Sequence, residues 1–301
     1  VRNVKASPVY VTFWGTRGSI PTPGAGTEKY GGNTSCVSVR HADTLVILDA
    51  GTGLRNLGLD LVRQYARSTR GMNLHLLLSH THWDHIQGLP FFAPAYIAGT
   101  RLTVYGSRKK GNFLESILRG QMDLNYFPIE LNELAADIAI REISETKPLT
   151  IGDFSITWEE QVAHPGGSVR YCIECGKKKI VYASDVELDK IFPPRGERNR
   201  ANRQLTEKYC SMVHGADLLI ADGQYTEADY PAKVNFGHSS IEMVAQIAQE
   251  EKVKQLAIFH HEPQYSDATL DRIWADLSPK YSFASPPMNL FWAREGMTLA
   301  I

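Results

Sequence analysis

The chain has 301 residues, 43% of them hydrophobic, with 32 basic side chains against 33 acidic ones. That length supports one large core or two small ones, and the balanced charge excludes the global positive field of a general nucleic-acid binder while leaving a local basic patch open. No run of 18 apolar residues offers a membrane span, and Val1–Pro8 lack the apolar core of a signal peptide, so the reading is a cytoplasmic protein with no membrane partner.

Val9–Trp14, Cys36–Arg40, Thr44–Asp49 and Leu74–Ser79 are rich in β-branched and apolar residues and are predicted as strands. Between them, Leu54–Ser68 has helical spacing, with Leu57, Leu61, Val62 and Tyr65 on one face. Leu102–Tyr105 is a further strand, and Asn112–Leu124 a helix. In the second half, strands are predicted at Glu142–Ile143, Ile156–Val162, Val169–Cys175, Lys179–Ser184, Leu218–Ala221 and Gln255–Phe259. Ile241–Glu251 and Leu270–Leu277 read as helices, and Asn289–Trp292 and Met297–Ile301 as closing strands. This order suggests two sheets packed face to face with helices outside, as a single domain over residues 1–301 with insertions near 109–144 and 187–209. Four cysteines in so long a chain make no disulfide framework. Cys172 and Cys175 form a CxxC, but residues three apart on a strand point to opposite faces, which argues for a structural pair.

The strand Leu74–Ser79 ends in His80-Thr81-His82-Trp83-Asp84-His85, an HxHxDH cluster with apolar flanks. Imidazoles and a carboxylate at this density suit a borderline divalent ion such as zinc. Without cations, such groups repel one another or stay unsatisfied. Ligand types also follow other apolar strands: His164 after Ile156–Val162, Asp185 after Lys179–Ser184, and His260 with His261 after Gln255–Phe259. One such residue would be an ordinary loop group, but four strand ends form a constellation.

At this point the chain resembles the metallo-β-lactamase superfamily over nearly its whole length. The resemblance rests on Phe13–Ser19, Leu48–Gly51, the HxHxDH cluster, His164, Ser184-Asp185 and Phe259-His260. Gly237-His238-Ser239-Ser240 and the acidic residue of Ala221-Asp222-Gly223 resemble the tRNase Z-like phosphodiesterase branch. Tyr30–Ser35 (YGGNTS) and His260–Pro263 (HHEP) are most similar to members that look like cyclic-nucleotide phosphodiesterases. The resemblance implies an αββα sandwich, an α/β fold of two mixed sheets flanked by helices, with the site along one edge. It implies that His80, His82 and His164 hold one metal, that Asp84, His85 and His260 hold a second, and that Asp185 bridges them. The ions would be zinc, with manganese or iron also suited to the donors. The adjacent pair leaves open whether His260 or His261 is the ligand. Asp49 would orient the ligand loop, although a strand-ending turn residue is the plainer role. The resemblance also implies a homodimer.

Two ions about 3.5–4 Å apart would lower the pKa of a shared water to give hydroxide near neutral pH, bind a phosphate oxygen and align the attack. They supply no proton for the leaving alkoxide. His238, oriented by Asp222, is the candidate donor, and Asp84 joins them as a catalytic residue. Ser239 or Ser240 also reads as the N-cap of the helix Ile241–Glu251, and both readings can hold together. The expected function is a binuclear phosphodiesterase acting on 3′,5′-cyclic nucleotides, a small phosphodiester substrate. The alternatives are tRNA 3′-end processing, which makes RNA a partner, and thioester or lactam hydrolysis, which has no need of the His238–Asp222 pair. A non-catalytic scaffold predicts a lost ligand, and oxygen-reducing diiron relatives want a flavin domain; neither fits. Within the insertions, Tyr126-Phe127-Pro128 could stack on a base or pack in the core. Arg195, Arg198, Arg200 and Arg203 with Pro193-Pro194 read as a basic lid or a solvated loop.

Overall fold

A computed structural model describes residues 7–66, 71–107, 113–143, 148–192, 200–282 and 287–301, with side chains of 200–202 and 282 left aside. The first half contains β1 (Tyr10–Gly15), β2 (Cys36–His41), β3 (Thr44–Leu48), α1 (Gly53–Tyr65), β4 (Asn73–Leu77), α2 (Trp83–Ile86), β5 (Arg101–Ser107), α3 (Leu114–Gly120) and β6 (Asp137–Ile143). The second contains β7 (Leu149–Ile151), β8 (Phe154–Gln161), β9 (Ser168–Cys175), β10 (Lys178–Ala183), α4 (Leu188–Ile191), α5 (Arg200–Val213) and β11 (Leu218–Asp222). It closes with α6 (Ile241–Glu250), β12 (Gln255–Phe259), α7 (Asp267–Ser282), β13 (Asn289–Trp292) and β14 (Thr298–Ala300).

These strands form two seven-stranded sheets, ordered β14-β1-β2-β3-β4-β5-β6 and β13-β12-β11-β10-β9-β8-β7. Each is mixed: β3 to β6 run parallel, as do β10 to β13, and hairpin-like antiparallel strands complete both. Alternation in the sequence decides which side chains go where. Val11, Phe13, Val46, Leu48, Tyr171, Tyr182, Ile220 and Phe259 fill the layer between the sheets. The opposite faces of the same strands pack outward, with Leu45, Ile47, Leu74 and Leu76 meeting α1 through Leu54, Leu57 and Leu61. On the other side Val181, Leu219, Leu256 and Ile258 meet α6 through Ile241, Val244 and Ala248. This is the αββα sandwich expected, and burial of these three apolar layers is its main driving force. Cys172 lies in the outer cluster and Cys175 in the layer between sheets, the opposite faces that a strand dictates, and both thiols are free.

The segment read as a basic lid or solvated loop differs: from Arg200 onward it is the helix α5, whose Tyr209 and Val213 are buried against Phe192 and β10. Spacing of Leu205, Tyr209, Met212 and Val213 carried this helix, but the arginines ahead of it masked the periodicity. Arg203 pairs with Glu207 one turn on, as a solvated helix surface does. Pro193, Pro194, Arg195 and Arg198 lie outside the described residues. Of the aromatic trio, Tyr126 is exposed, while Phe127 packs edge-on against Phe91 and the outer core. No helix among the described residues is long and apolar enough to cross a membrane.

Candidate active site

The parallel strands bring the chemistry to one edge. Asp49 follows β3, the HxHxDH loop follows β4, Asp185 follows β10, Asp222 ends β11 and His260 follows β12. All lie at carboxyl ends of strands, where open α/β sheets place their ligands. Three of these residues have left-handed backbones, with φ of 60° at Asp49, 54° at Asp185 and 62° at His260. A non-glycine residue in that region is strained; ordinary turns of the chain such as Ala42 and Lys252 show it too, but at these three strand ends it also aims an ionisable side chain across the end of the sheet.

Among the described residues, two of the four groups of possible ligand atoms are His80, His82 and His164, and Asp84, His85, Asp185 and His260. Asp185 lies between them. Its Oδ1 is 3.2 Å from His85 Nε2 and 3.4 Å from His260 Nε2. Its Oδ2 is 3.7 Å from His80 Nε2 and 3.8 Å from His164 Nε2. Asp84 Oδ2 is 3.0 Å from His260 Nε2 and 3.2 Å from His85 Nε2. His164 Nε2 is 3.0 Å from His82 Nδ1. His82 is exposed while its neighbours in the cluster are buried, so the site opens there. His261 is turned away: its Nε2 donates to Ala293 O at 2.8 Å, and its ring packs against Trp292.

The other nitrogens are held from behind. His85 Nδ1 is 2.8 Å from Asp49 Oδ2, His164 Nδ1 is 2.9 Å from Gly237 O, and His80 Nδ1 is 3.1 Å from Ser79 Oγ. Neutral imidazoles held this way offer bare Nε2 atoms to the interior. Gly237, with φ of 91°, is required, because a Cβ there would come within 2.4 Å of His164 Nδ1. Asp49 also accepts from Ser79 N at 2.6 Å, Ser79 Oγ at 2.8 Å and Tyr182 OH at 2.7 Å. Its capture of the Ser79 amide is why β4 stops at Leu77 rather than at Ser79. Asp49 is therefore more than a turn residue.

Electrostatics point the same way. Burial, with the neighbouring imidazoles, pushes His80 well below its ordinary value, and burial pushes His164 down to about 4. Burial also opposes charge on His85 and His260, yet Asp185, Asp84 and Asp49 raise His85 well above normal, and Asp185 and Asp84 lift His260 to about 9. The same imidazoles hold Asp84 and Asp185 far below the carboxylate range despite their burial. The carboxylates thus demand positive charge between them. The neutral side of the cluster leaves His80 Nε2 buried without a hydrogen-bond partner. Imidazoles and carboxylates that need a cation, around an orphaned buried nitrogen, fit divalent metal ions.

Beside the cluster, His238 Nδ1 is 2.8 Å from Asp222 Oδ2, and its ring stacks on His260 with centroids 4.9 Å apart. His238 also lies close enough to His164 and Asp185, and to Asp222 and His260, to be a ligand itself. Ser240 caps α6 by accepting from Met243 N, whereas Ser239 donates to Val186 O and accepts from Leu188 N. The residues not found from sequence are those behind the candidate ligands: Ser19, whose amide donates to Asp84 Oδ2 at 2.8 Å, Ser79, Tyr182 and Gln224. A serine, tyrosine or glutamine carries no signal in a single sequence until its neighbour is known.

A family profile described as beta-lactamase superfamily domain matches residues 44–261. Among curated proteins, "Ribonuclease Z" of Prochlorococcus marinus is 26% identical over 294 residues, covering 85% of this chain and 88% of that protein. "Ribonuclease Z" of Thermoplasma acidophilum is 24% identical over 291 residues, covering 88% and 90%. Among solved structures, the metallo-beta-lactamase fold protein YhfI from Bacillus subtilis superposes with a TM-score of 0.66 at 19% identity, covering 97% of this chain and 99% of that one. Yeast PDE1 gives 0.65 at 14%, covering 98% and 100%, and the short form of human tRNase Z 0.61 at 18%, covering 97% and 99%. The chain belongs to the metallo-β-lactamase superfamily and is a metal-dependent hydrolase.

Proposed function

We propose that the protein hydrolyses phosphodiester bonds, with RNA as the substrate to test first. The observation that carries the chemistry is the 2.8 Å pair between His238 and Asp222 beside the two ligand groups. Divalent cations held by those groups supply Lewis acidity and neutralise charge at the phosphoryl centre. What remains is a proton for the leaving alkoxide. Asp222 can only accept, so His238 donates through Nδ1 and is left with Nε2 as the exchanging position. The carboxylate also fixes the orientation of the ring that a general acid requires. Thioester hydrolysis expels a thiolate that needs no proton and gives the pair no task.

RNA comes first because the curated relatives quoted above, which match most of this chain, bear the name Ribonuclease Z. The cyclic-nucleotide reading from the motif resemblance becomes the second arm of the test. Trp83, two-thirds exposed between His82 and Asp84, offers a face for a base in either case. By this reading His80, His82 and His164 would hold one ion and Asp84, His85 and His260 another, with Asp185 facing both groups. Zinc is the first ion to try, then manganese and iron. The homodimer belongs to the same proposal, and light scattering that finds only a 33.6 kDa species removes it.

The test is a panel of precursor tRNA, 3′,5′-cyclic nucleotides, bis(p-nitrophenyl) phosphate, a thioester and a β-lactam, each with added zinc or manganese. Cleavage of precursor tRNA supports the RNA reading. Turnover of cyclic nucleotides alone moves the substrate to small phosphodiesters. Turnover of only the thioester or lactam overturns phosphodiester chemistry.

A further inference from the structure

We propose that Gln224 is a positioning residue that fixes the tautomer of His260, leaving its Nε2 bare toward Asp84 and Asp185 so that it can ligate a divalent cation. This rests on the metal-centre reading of that cluster. Gln224 is 2% exposed, two residues beyond the end of β11. Its Oε1 lies 3.1 Å from His260 Nδ1, and its Nε2 lies 2.9 Å from Glu262 Oε2 and 3.3 Å from Ser19 Oγ.

The two ends of an amide are alike in shape but opposite in chemistry, so the neighbours decide which way it points. Glu262 decides it here. A carboxylate only accepts, so the amide nitrogen must face it. The amide oxygen then faces His260, and because that oxygen also only accepts, His260 Nδ1 must carry the hydrogen. With a divalent cation in place of the second proton the imidazole would be neutral with one N–H, on Nδ1, and Nε2 would present its lone pair. That nitrogen lies 3.0 Å from Asp84 Oδ2 and 3.4 Å from Asp185 Oδ1.

Two features hold the arrangement. The fully buried Arg17 donates to the backbone carbonyls of Glu262 at 3.1 Å, Tyr265 at 2.8 Å and Gly31 at 3.0 Å, which fixes the loop that carries Glu262. Gly18 lies against the imidazole so closely that a Cβ there would come within 2.5 Å of His260 Nδ1, which pins the ring on that side. The hydrogen-bond direction therefore runs from the imidazole through Gln224 to an acidic group anchored by a buried cation. His85 reaches a carboxylate directly and His164 a carbonyl; His260 reaches its carboxylate through an amide.

The test uses the full chain, stripped with chelator and titrated with zinc by calorimetry. Gln224→Leu removes the acceptor, and zinc should bind about 10–100-fold more weakly at the class of site that includes His260. Gln224→Glu keeps an acceptor toward His260 at some cost in stability, since it faces Glu262, and should bind zinc within about threefold of wild type, using the same expected scale. A side chain that only fills space would not produce this order. Long-range proton–nitrogen correlation spectra of the wild-type zinc protein should show the His260 proton on Nδ1. Wild-type zinc affinity in Gln224→Leu, equal weakening in both variants, or a proton on Nε2 each overturns the assignment. If the leucine variant does not fold, the wild-type spectrum decides. A wild-type protein that takes up no divalent ion overturns the metal-centre reading itself, and this assignment with it.

Discussion

Removing the carboxylate of Asp49 should cost both stability and metal affinity, and the structure says how much of each. The side chain is fully buried and accepts four hydrogen bonds: from Ser79 N, Ser79 Oγ, His85 Nδ1 and Tyr182 OH. Each buried donor left without a partner costs about 1–3 kcal/mol. Ser79 Oγ already receives the hydrogen of His80 Nδ1 at 3.1 Å, so Asp49→Ala leaves all four donors without the carboxylate they share. With some relaxation, the loss is about 3–5 kcal/mol. At roughly 2–4 °C per kcal/mol for a chain of this size, the melting point should fall by about 10 °C. Asp49→Asn separates charge from backbone. Asparagine tolerates the 60° φ at this position, whereas alanine adds strain. Its amide nitrogen must face at least one of the four donors, so it should still melt lower than wild type. His85, freed from its acceptor, should bind zinc about 10–100-fold more weakly in both variants. The assay is thermal unfolding of chelator-treated and zinc-loaded protein, together with calorimetric zinc titration. Asp49→Asn with a melting point within about 2 °C of wild type and unchanged zinc affinity would refute the argument that this carboxylate aims the ligand loop.

His238→Ala should keep its metals and lose on the order of 10²–10⁴-fold in rate, with a smaller loss on a nitrophenolate substrate that needs little protonation; equal losses on good and poor leaving groups would exclude a general acid. Asp185→Ala should lower the metal content measured by elemental analysis and most of the activity, because both ligand groups face this side chain; full metal content in the variant would refute a shared ligand. His261 gives a pH effect. Burial lowers its folded value to about 3, so above pH 6.5 it is neutral in both states and contributes no slope. Below pH 6.5 the unfolded chain takes up a proton that the folded one refuses, and stability falls by about 1.4 kcal/mol per pH unit until about pH 3. Between pH 7 and 5 that is about 2 kcal/mol, and His261→Gln should flatten the acid limb of urea unfolding in metal-stripped protein by that amount; identical slopes in both proteins would show that His261 does not titrate this way.

Most of the sandwich was legible because its strands alternate and its layers are apolar. The short β7 and the helix α5 were not, the first because three residues carry no period and the second because charge hid its stripe. The ligand types were legible because each terminates an apolar run, where an imidazole or carboxylate is conspicuous. The choice between His260 and His261 was not, since adjacent residues share the same local sequence. The structure separates them by backbone: His260 has φ of 62° and joins the cluster, whereas His261 donates to Ala293 O and packs on Trp292.

That backbone explains why so few residues suffice to build the site. A strand delivers alternate side chains to its two faces, neither of which is its end. To aim a carboxylate or imidazole across the end of the sheet, the chain must leave the extended conformation abruptly at one residue. Asp49 and His260 do so with left-handed backbones directly after β3 and β12, and Asp185 does so one residue later, after Ser184 at the end of β10. A glycine would relax any of these turns by about 1 kcal/mol or more, but would remove the group the turn exists to aim. The strain is therefore tied to function at these three positions. It is opposed locally by the ladders of β3, β10 and β12 on one side and by the hydrogen bonds that each side chain makes on the other.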